Sequence, residues 1–122
     1  MTKSVLVIED EPHIVEAISF ILSRDGWSVR SHGQGQDAVA VVRDNPADVL
    51  ILDVMLPGRS GYEILQELRA DPATRDLPIL LLTARGQAKD QDIAARLGAT
   101  QVMTKPFSNN ELLASVRAMA GA

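Results

Sequence analysis

The sequence contains no cysteine, only two histidines and few aromatic side chains. Without cysteine the chain forms no disulfide, offers no thiolate nucleophile and holds no zinc through sulfur. His13 and His32 are too few for a histidine-rich metal site. Aromatic residues make up only 3% of the chain, which disfavours a cofactor sandwiched between aromatic rings. Thiol chemistry and sulfur-bound metals are therefore excluded.

Long apolar runs and an excess of positive charge are also missing. No run approaches the roughly 18 apolar residues that span a bilayer, and the run at 5–8 is shorter than the core of a signal peptide. The formal net charge of -4 gives no basic face for nucleic acid phosphates. We therefore expect a cytoplasmic protein that binds neither membranes nor nucleic acids directly. Its 122 residues suit one domain over 1–122.

Short apolar runs alternate along the chain with segments of helical periodicity. Three of the runs are apolar at nearly every position, which is typical of parallel strands covered on both faces. The second run is mixed, which suits an edge strand. The runs predict strands at 4–8, 27–31, 49–52, 79–82 and 101–104, with a helix after each.

This regular alternation implies right-handed crossovers and helices on both faces of one sheet. We predict an α/β fold of the flavodoxin-like, doubly wound (βα)5 form, with five parallel strands in the order 2-1-3-4-5. Ligands of such sheets bind outside the carboxyl ends of the strands. Two helix starts carry the Ser-x-x-Glu pattern of a capping box, Ser60 with Glu63 and Ser108 with Glu111.

Three acidic residues follow the first and third predicted strands. Glu9 and Asp10 come after the first strand and Asp53 after the third, and these strands are expected to be neighbours. Carboxylates packed this closely repel each other unless a hard cation lies between them. We predict that Asp10 and Asp53 bind Mg²⁺ directly, that Glu9 acts through water, and that a backbone carbonyl near Met55 completes the set. Mn²⁺ is expected to substitute.

Two further side chains at this edge suit a phosphoryl group. Lys105 ends the fifth strand before Pro106, and its ammonium can pair with Asp53 before reaction and with a phosphoryl oxygen afterwards. Thr83 follows the fourth strand and offers a hydroxyl, while the small Ala84 leaves the approach open. Each residue alone has an ordinary role in a cap, a turn or the surface. Their coincidence on one sheet edge predicts a phosphoryl-accepting site.

With these residues in view, the chain resembles the receiver domain of bacterial two-component response regulators, the CheY-like family. The resemblance runs from Lys3 to about Met119, and its motifs have the order and separations of the family. The motifs are Val-Leu-Val-Ile-Glu-Asp-Glu-Pro at 5–12, Ile-Leu-Asp-Val-Met-Leu-Pro-Gly at 51–58 with Gly61, Leu-Leu-Thr-Ala at 81–84, Leu-Gly-Ala at 97–99 and Thr-Lys-Pro-Phe at 104–107.

The resemblance implies that Asp53 accepts a phosphoryl group from a phosphohistidine on a sensor histidine kinase or a histidine phosphotransfer protein. Glu9 and Asp10 match the family's acidic metal pair. Thr83 matches its switch hydroxyl and Lys105 its phosphate-sensing lysine, which makes these two catalytic residues together with Asp53.

The family also implies a cis peptide bond between Lys105 and Pro106. Phosphorylation would shift the population of the face built from helix 4, strand 5 and helix 5, and so control the binding of a downstream protein target. Such a module acts only on its own phosphorylation and dephosphorylation and is not an enzyme for another substrate.

Two features depart from the family. The strand-5 position of the usual Tyr or Phe rotamer switch falls on Val102, which has no ring to swing, so the usual coupling to Thr83 is open to question. The segment Gly-Ala-Thr-Gln-Val at 98–102 also lacks two acidic partners of the common dimer. We expect a monomer or a weak, phosphorylation-dependent dimer.

Two neighbours of the site are expected to set the lifetime of the phosphate. Met55 lies two residues past Asp53 and Arg85 two residues past Thr83. An apolar Met55 cannot orient an attacking water, and Arg85 can cover the phosphoryl group. We hypothesise a phosphate that lasts minutes or longer, although both side chains also suit ordinary loop positions.

The main expectation is a stand-alone receiver, and three alternatives stay open. The chain can be a receiver from a longer regulator with a DNA-binding or enzymatic output domain. A flavodoxin-like redox protein would need a Ser/Thr/Gly-rich phosphate loop where this chain has Glu-Asp-Glu-Pro at 9–12. A magnesium-dependent phosphatase of the aspartyl-phosphate type would carry a second Asp at the position of Pro12.

Overall fold

Five strands and five helices alternate in the computed structural model, which describes residues 3–84 and 88–121. None of the helices in these ranges is long and apolar enough to cross a membrane. The strands are β1 (Ser4–Ile8), β2 (Ser28–His32), β3 (Val49–Asp53), β4 (Ile79–Thr83) and β5 (Gln101–Thr104). The helices are α1 (Pro12–Arg24), α2 (Ala38–Asp44), α3 (Gly61–Ala70), α4 (Ala88–Leu97) and α5 (Asn109–Met119).

The predicted strands agree with the structure to within one residue at each end. β3 and β4 each extend one residue further than predicted, so that Asp53 and Thr83 are the last residues of their strands and do not follow them. β2 begins at Ser28 and not at Trp27, because the Trp27 backbone N–H donates to the carbonyl of Leu22 and so belongs to the turn after α1.

The sheet has the predicted order, β2-β1-β3-β4-β5, and every neighbouring pair is parallel. β2 lies at an edge, as its mixed sequence indicated. Ile8 pairs with Leu52 and Asp53 pairs with Leu82, so β1, β3 and β4 end at nearly the same level. This register places the residues that follow β1 beside those that end β3.

The continuous apolar character of the central strands follows from burial on both faces of the sheet. Side chains alternate between faces along a strand, and helices cover each face. On one face Leu50 and Leu52 pack under α2, α3 and α4, and on the other Val49 and Ile51 pack under α1 and α5. The core thus consists of two apolar layers separated by the sheet.

The two Ser-x-x-Glu patterns behave differently. At α5 the predicted capping box forms, since Ser108 Oγ accepts from the Glu111 N–H at 3.1 Å and Glu111 accepts from the Ser108 N–H at 3.4 Å. At α3 the box prediction is wrong. Ser60 Oγ accepts from the N–H of Tyr62, and the carboxylate of Glu63 turns 3.6 Å from Arg59 Nε. A nearby guanidinium attracts the carboxylate more strongly than a neutral N–H does.

Candidate functional site

Three carboxylates converge at the carboxyl ends of β1 and β3. One oxygen from each of Glu9, Asp10 and Asp53 lies within 4.8 Å of the others. Glu9 and Asp53 are buried, whereas Asp10 is exposed to solvent. The convergence predicted from the strand ends therefore occurs, and the cluster is closed on the protein side and open on one side.

Lys105 reaches this cluster from the end of β5. The predicted cis peptide bond to Pro106 is present, and the Lys105 N–H donates to the carbonyl of Thr83 at 2.8 Å. The side-chain ammonium lies 3.2 Å from Asp53 Oδ1, as expected, and also 3.2 Å from Glu9 Oε1. The contact with Glu9 was not foreseen. One lysine therefore bridges two carboxylates that lie at the ends of two different strands.

The electrostatics of the cluster reflect burial and crowding. The pKa of Glu9 is raised to about 7, first by burial and then by the hydrogen bond and negative charge of Asp53, against the opposing effects of the Glu11 N–H and of Lys105. Burial alone would lower the pKa of Lys105, but the charges of Asp53 and Glu9 outweigh it and raise that pKa above its ordinary value. The cluster thus carries more negative charge than one ammonium neutralises.

Backbone N–H groups hold two of the carboxylates in place. Glu9 Oε2 accepts from the N–H of Asp10 at 3.0 Å and from that of Glu11 at 3.3 Å. Asp53 Oδ1 accepts from the N–H of Met55 at 3.2 Å. Glu9 is therefore fixed within its own turn and beside Lys105, which leaves the exposed Asp10 facing the open side.

This donor set fits a hard divalent cation. Carboxylate oxygens are the ligands that Mg²⁺ prefers, and Mg²⁺ usually takes one or two of them and keeps several waters. Asp10 and Asp53 would hold the ion, with Glu9 behind them. The role predicted for the backbone carbonyl of Met55 stays a prediction, as does substitution by Mn²⁺.

The remaining predicted residues surround the cluster. Thr83 is buried at the end of β4, next to the strand that carries Asp53, and Ala84 is exposed beside it. The Met55 side chain is 71% exposed. Arg85 lies outside the described residues. Val102 is partly buried and packs against the apolar layer under α2, α3 and α4, in line with its lack of a ring.

Two features of the site were missed in the sequence. A cavity of about 470 Å³ lies between α1 and the segment after β5, and it is bordered by Ala84 and Lys105. Gly61 approaches Asp53 so closely that a Cβ there would lie 2.2 Å from the Asp53 carbonyl oxygen. In the sequence Gly61 stands out only as part of a motif. Its position as the first residue of α3, just after the Ser60 cap, was the available signal.

The cavity beside the site is largely apolar. Side chains of α1 line one side of the cavity, and the Pro106–Phe107 segment lines the other. The residues that line it beyond the site are Ile14, Ala17, Ile21 and Phe107.

Known proteins are similar to this chain in sequence. The family model described as response regulator receiver domain matches residues 5–117. The probable transcriptional regulatory protein TcrX of Mycobacterium tuberculosis is 40% identical over 116 residues, which are 95% of this chain and 49% of that protein. The chain thus spans about half the length of this curated relative.

Solved structures agree with the sequence comparison. A protein of Chloroflexus aurantiacus described as a response regulator superposes with a TM-score of 0.94 at 32% identity, covering 100% of both chains. The receiver domain of the sensor histidine kinase PA1611 from Pseudomonas aeruginosa, with a magnesium ion coordinated in its active site cleft, superposes with a TM-score of 0.90 at 28% identity over 100% of both chains. The chain therefore belongs to the family of response regulator receiver domains, the CheY-like modules of two-component signalling.

Proposed function

We propose that this receiver domain accepts a phosphoryl group on Asp53, in a Mg²⁺-dependent reaction, from a phosphohistidine of a sensor histidine kinase or a histidine phosphotransfer protein. The observation that carries the proposal is the arrangement around one carboxylate. Asp53 is buried, its Oδ1 lies 3.2 Å from the Lys105 ammonium, and it shares an acidic cluster with Glu9 and Asp10. A carboxylate held between a metal site and an ammonium is placed to act as a nucleophile.

In the proposed reaction a carboxylate oxygen of Asp53 attacks the phosphorus atom. The bond from phosphorus to the histidine nitrogen breaks, and its electron pair returns to the imidazole, so the phosphoryl group passes to Asp53 as an acyl phosphate. Bound Mg²⁺ supplies positive charge that neutralises the phosphoryl oxygens. The relative PA1611, whose active site cleft holds magnesium, supports this assignment.

The protein's own groups position and neutralise the transferred group. Lys105 releases Asp53 Oδ1 and pairs with a phosphoryl oxygen, while Thr83 donates its hydroxyl to another. The Met55 N–H, already 3.2 Å from Asp53 Oδ1, keeps the acceptor carboxylate oriented. Ala84 is exposed and leaves the approach open. These groups serve only the domain's own phosphorylation and dephosphorylation.

We propose that the phosphorylated state controls the binding of a downstream protein through the face of α4, β5 and α5. Val102 packs into this side of the core, so the coupling runs without an aromatic rotamer. Arg117 and Glu111 are engaged within the chain, Arg117 with Asp25 and Glu111 in the α5 cap. Because both side chains already make contacts within the chain, they are less available to form ion pairs with a second copy. This supports a monomer or a weak dimer.

The proposal is tested by incubating the protein with Mg²⁺ and acetyl phosphate. We expect one acid-stable, base-labile phosphate, found by mass spectrometry at Asp53 and abolished by a chelator. It should disappear in Asp53→Asn and persist in Asp44→Asn, a control at the exposed end of α2. Equal labelling of Asp53→Asn and the wild type would refute the assignment.

A second arrangement is favoured by the mycobacterial relative. That protein is described as a transcriptional regulator and is about twice as long as the matched segment, since the chain covers 49% of it. The same phosphoacceptor would then control an output domain in the same chain. The reading frame that encodes this sequence distinguishes the stand-alone receiver from the longer regulator.

A further inference from the structure

Two loops beside the site close on each other through a pair of glycines. The loop at 33–37 follows β2, and the loop at 54–60 follows β3. The Gly35 N–H donates to the carbonyl of Pro57 at 3.1 Å, and a Cβ on Gly35 would lie 2.7 Å from the carbonyl oxygen of Arg59. In return, a Cβ on Gly58 would lie 2.7 Å from Cγ of Gln36. We call Gly35, Gln36, Pro57, Gly58 and Arg59 the glycine clasp.

The atoms that face Gly35 and those that face Gly58 differ in how easily they can be displaced. At Gly35 the opposing atoms belong to the backbone of Arg59, with its nitrogen at 3.0 Å and its carbonyl oxygen at 2.7 Å. At Gly58 the opposing atom belongs to the flexible, exposed side chain of Gln36. A larger residue at position 35 must therefore displace a loop backbone, because a side-chain rotation cannot make room.

The clasped loop is the one that carries Met55. The Met55 N–H donates to Asp53 Oδ1 at 3.2 Å. The Met55 side chain is 71% exposed, so packing of this side chain does little to hold the loop in place. The far end of the loop is tied to α3, because Arg59 Nη1 lies 2.6 Å from Glu67 Oε2 and the Gly61 N–H bonds the carbonyl of Val54 at 2.9 Å. The contact with Gly35 is what holds the loop from the side of β2.

We propose that Gly35 is a positioning residue for phosphoryl transfer, although it touches neither Asp53 nor the metal site. By holding the loop at 54–60 it aims the backbone of Met55 at Asp53 and at the Mg²⁺ that the site fits. This role rests on the proposed function. Mutation of a residue that orients a metal ligand without binding the metal itself typically lowers metal affinity by about 10- to 100-fold.

The chain offers a matched control on the same loop. A Cβ on Gly33 would meet nothing closer than the Glu9 carbonyl oxygen at 3.7 Å, which is ordinary van der Waals contact. Gly35→Ala and Gly33→Ala therefore make the same chemical change, and only the first presses on the loop that carries Met55. Both variants are compared with the wild type.

The experiment measures the Mg²⁺ dissociation constant by an amide NMR titration, and then the rate of labelling by acetyl phosphate. For Gly35→Ala we expect the dissociation constant to rise about tenfold, the Met55 amide to shift before Mg²⁺ is added, and the labelling rate to return close to the wild-type value at saturating Mg²⁺. Gly33→Ala should match the wild type in all three. A purely structural role would lower stability in urea without this division between affinity and rate.

Unchanged Mg²⁺ affinity in folded Gly35→Ala, or an equal loss in Gly33→Ala, would overturn the positioning role. If Gly35→Ala does not fold, the surface variant Gln36→Ala decides, because it opens the other half of the clasp. A raised dissociation constant there supports the role and an unchanged one overturns it. The wild type is measured first: failure to label Asp53 contradicts the proposed function, whereas a labelled wild type with an unaffected Gly35→Ala contradicts only this inference.

Discussion

The ammonium of Lys105 lies 3.2 Å from Asp53 Oδ1, although Asp53 ends β3, Lys105 follows β5, and β4 lies between these two strands. The same ammonium lies 3.2 Å from Glu9 Oε1. Lys105 is therefore the internal counterion of a cluster that also suits a divalent cation. Because the lysine and a cation neutralise the same oxygens, the presence of one makes the interaction of the other with the cluster less favourable.

This competition predicts the behaviour of Lys105→Met, which keeps the length of the side chain and removes its charge. We expect the variant to bind Mg²⁺ roughly tenfold more tightly, since one unit charge beside the cluster is worth at least ~1.4 kcal/mol. Without Mg²⁺ it should lose about 1–3 kcal/mol of unfolding free energy, because buried acceptors lose their donor. Titration of Mg²⁺ followed by urea unfolding measures both quantities.

Lys3→Met is the matched control for this experiment. Lys3 Nζ donates to the Ala120 carbonyl at 2.8 Å, an exposed contact near the amino end of β1 and so at the opposite end of the sheet from the cluster. Its removal takes away the same charge from the chain as a whole. Equal tightening of Mg²⁺ binding in both variants would show that net charge acts, and not the position of Lys105.

The Met55 side chain predicts a slow loss of phosphate from Asp53. It is 71% exposed, two residues past the acceptor, and its thioether is a poor partner for an attacking water. We expect a half-life of minutes or longer, shortened severalfold in Met55→Asn and preserved in Met55→Leu. The decay of labelled protein after removal of acetyl phosphate gives the half-lives. A wild-type half-life of seconds that Met55→Asn leaves unchanged would contradict the hypothesis.

The sequence located the site because strand ends are readable from apolar runs. Once five parallel strands were predicted in the order 2-1-3-4-5, Glu9, Asp10 and Asp53 had to meet at the edge where these strands end. Contacts that depend on distances between loops were not readable. The bridge from Lys105 to Glu9 and the close approaches at Gly35 and Gly61 depend on how loops of unrelated sequence fold over each other.

The capping patterns are a second case in which the sequence alone does not predict the contact. Ser60 with Glu63 and Ser108 with Glu111 are the same four-residue pattern, but only the second forms the box. The difference lies in Arg59, which sits before Ser60 and attracts Glu63. A pattern that omits the neighbouring charge cannot distinguish the two helix starts.

Alanine substitution of the two glutamates measures this difference. Glu111→Ala should lower the unfolding free energy by about 1 kcal/mol, because the Ser108 N–H loses its acceptor. Glu63→Ala should change it by less than ~0.5 kcal/mol, since it breaks only an exposed ion pair. The intrinsic helix propensity changes equally in both variants, so the comparison cancels it. Equal losses in urea unfolding would contradict the different roles.

A separate ion pair ties α5 to the turn after α1. Arg117 Nε donates to Asp25 Oδ2 at 3.0 Å, and the indole N–H of Trp27 donates to the same oxygen at 3.1 Å. The hydrogen bond from Arg117, with that from Trp27, lowers the pKa of Asp25 below its ordinary 3.8 despite some desolvation. A lowered carboxyl pKa stabilises the fold above the ordinary value, and this contribution is lost as pH falls through the lowered pKa.

The pH dependence of this pair is therefore expected in acid and not near neutrality. A double-mutant cycle of Asp25→Asn and Arg117→Gln should give a favourable coupling at pH 7 that shrinks as pH falls below 3.8. Trp27 is the built-in reporter, because it donates to Asp25 at the end of the sheet away from Asp53. Its fluorescence should respond to Asp25→Asn and remain nearly constant on addition of Mg²⁺. A large quench by Mg²⁺ would show instead that the metal site is coupled to the Asp25–Arg117 ion pair.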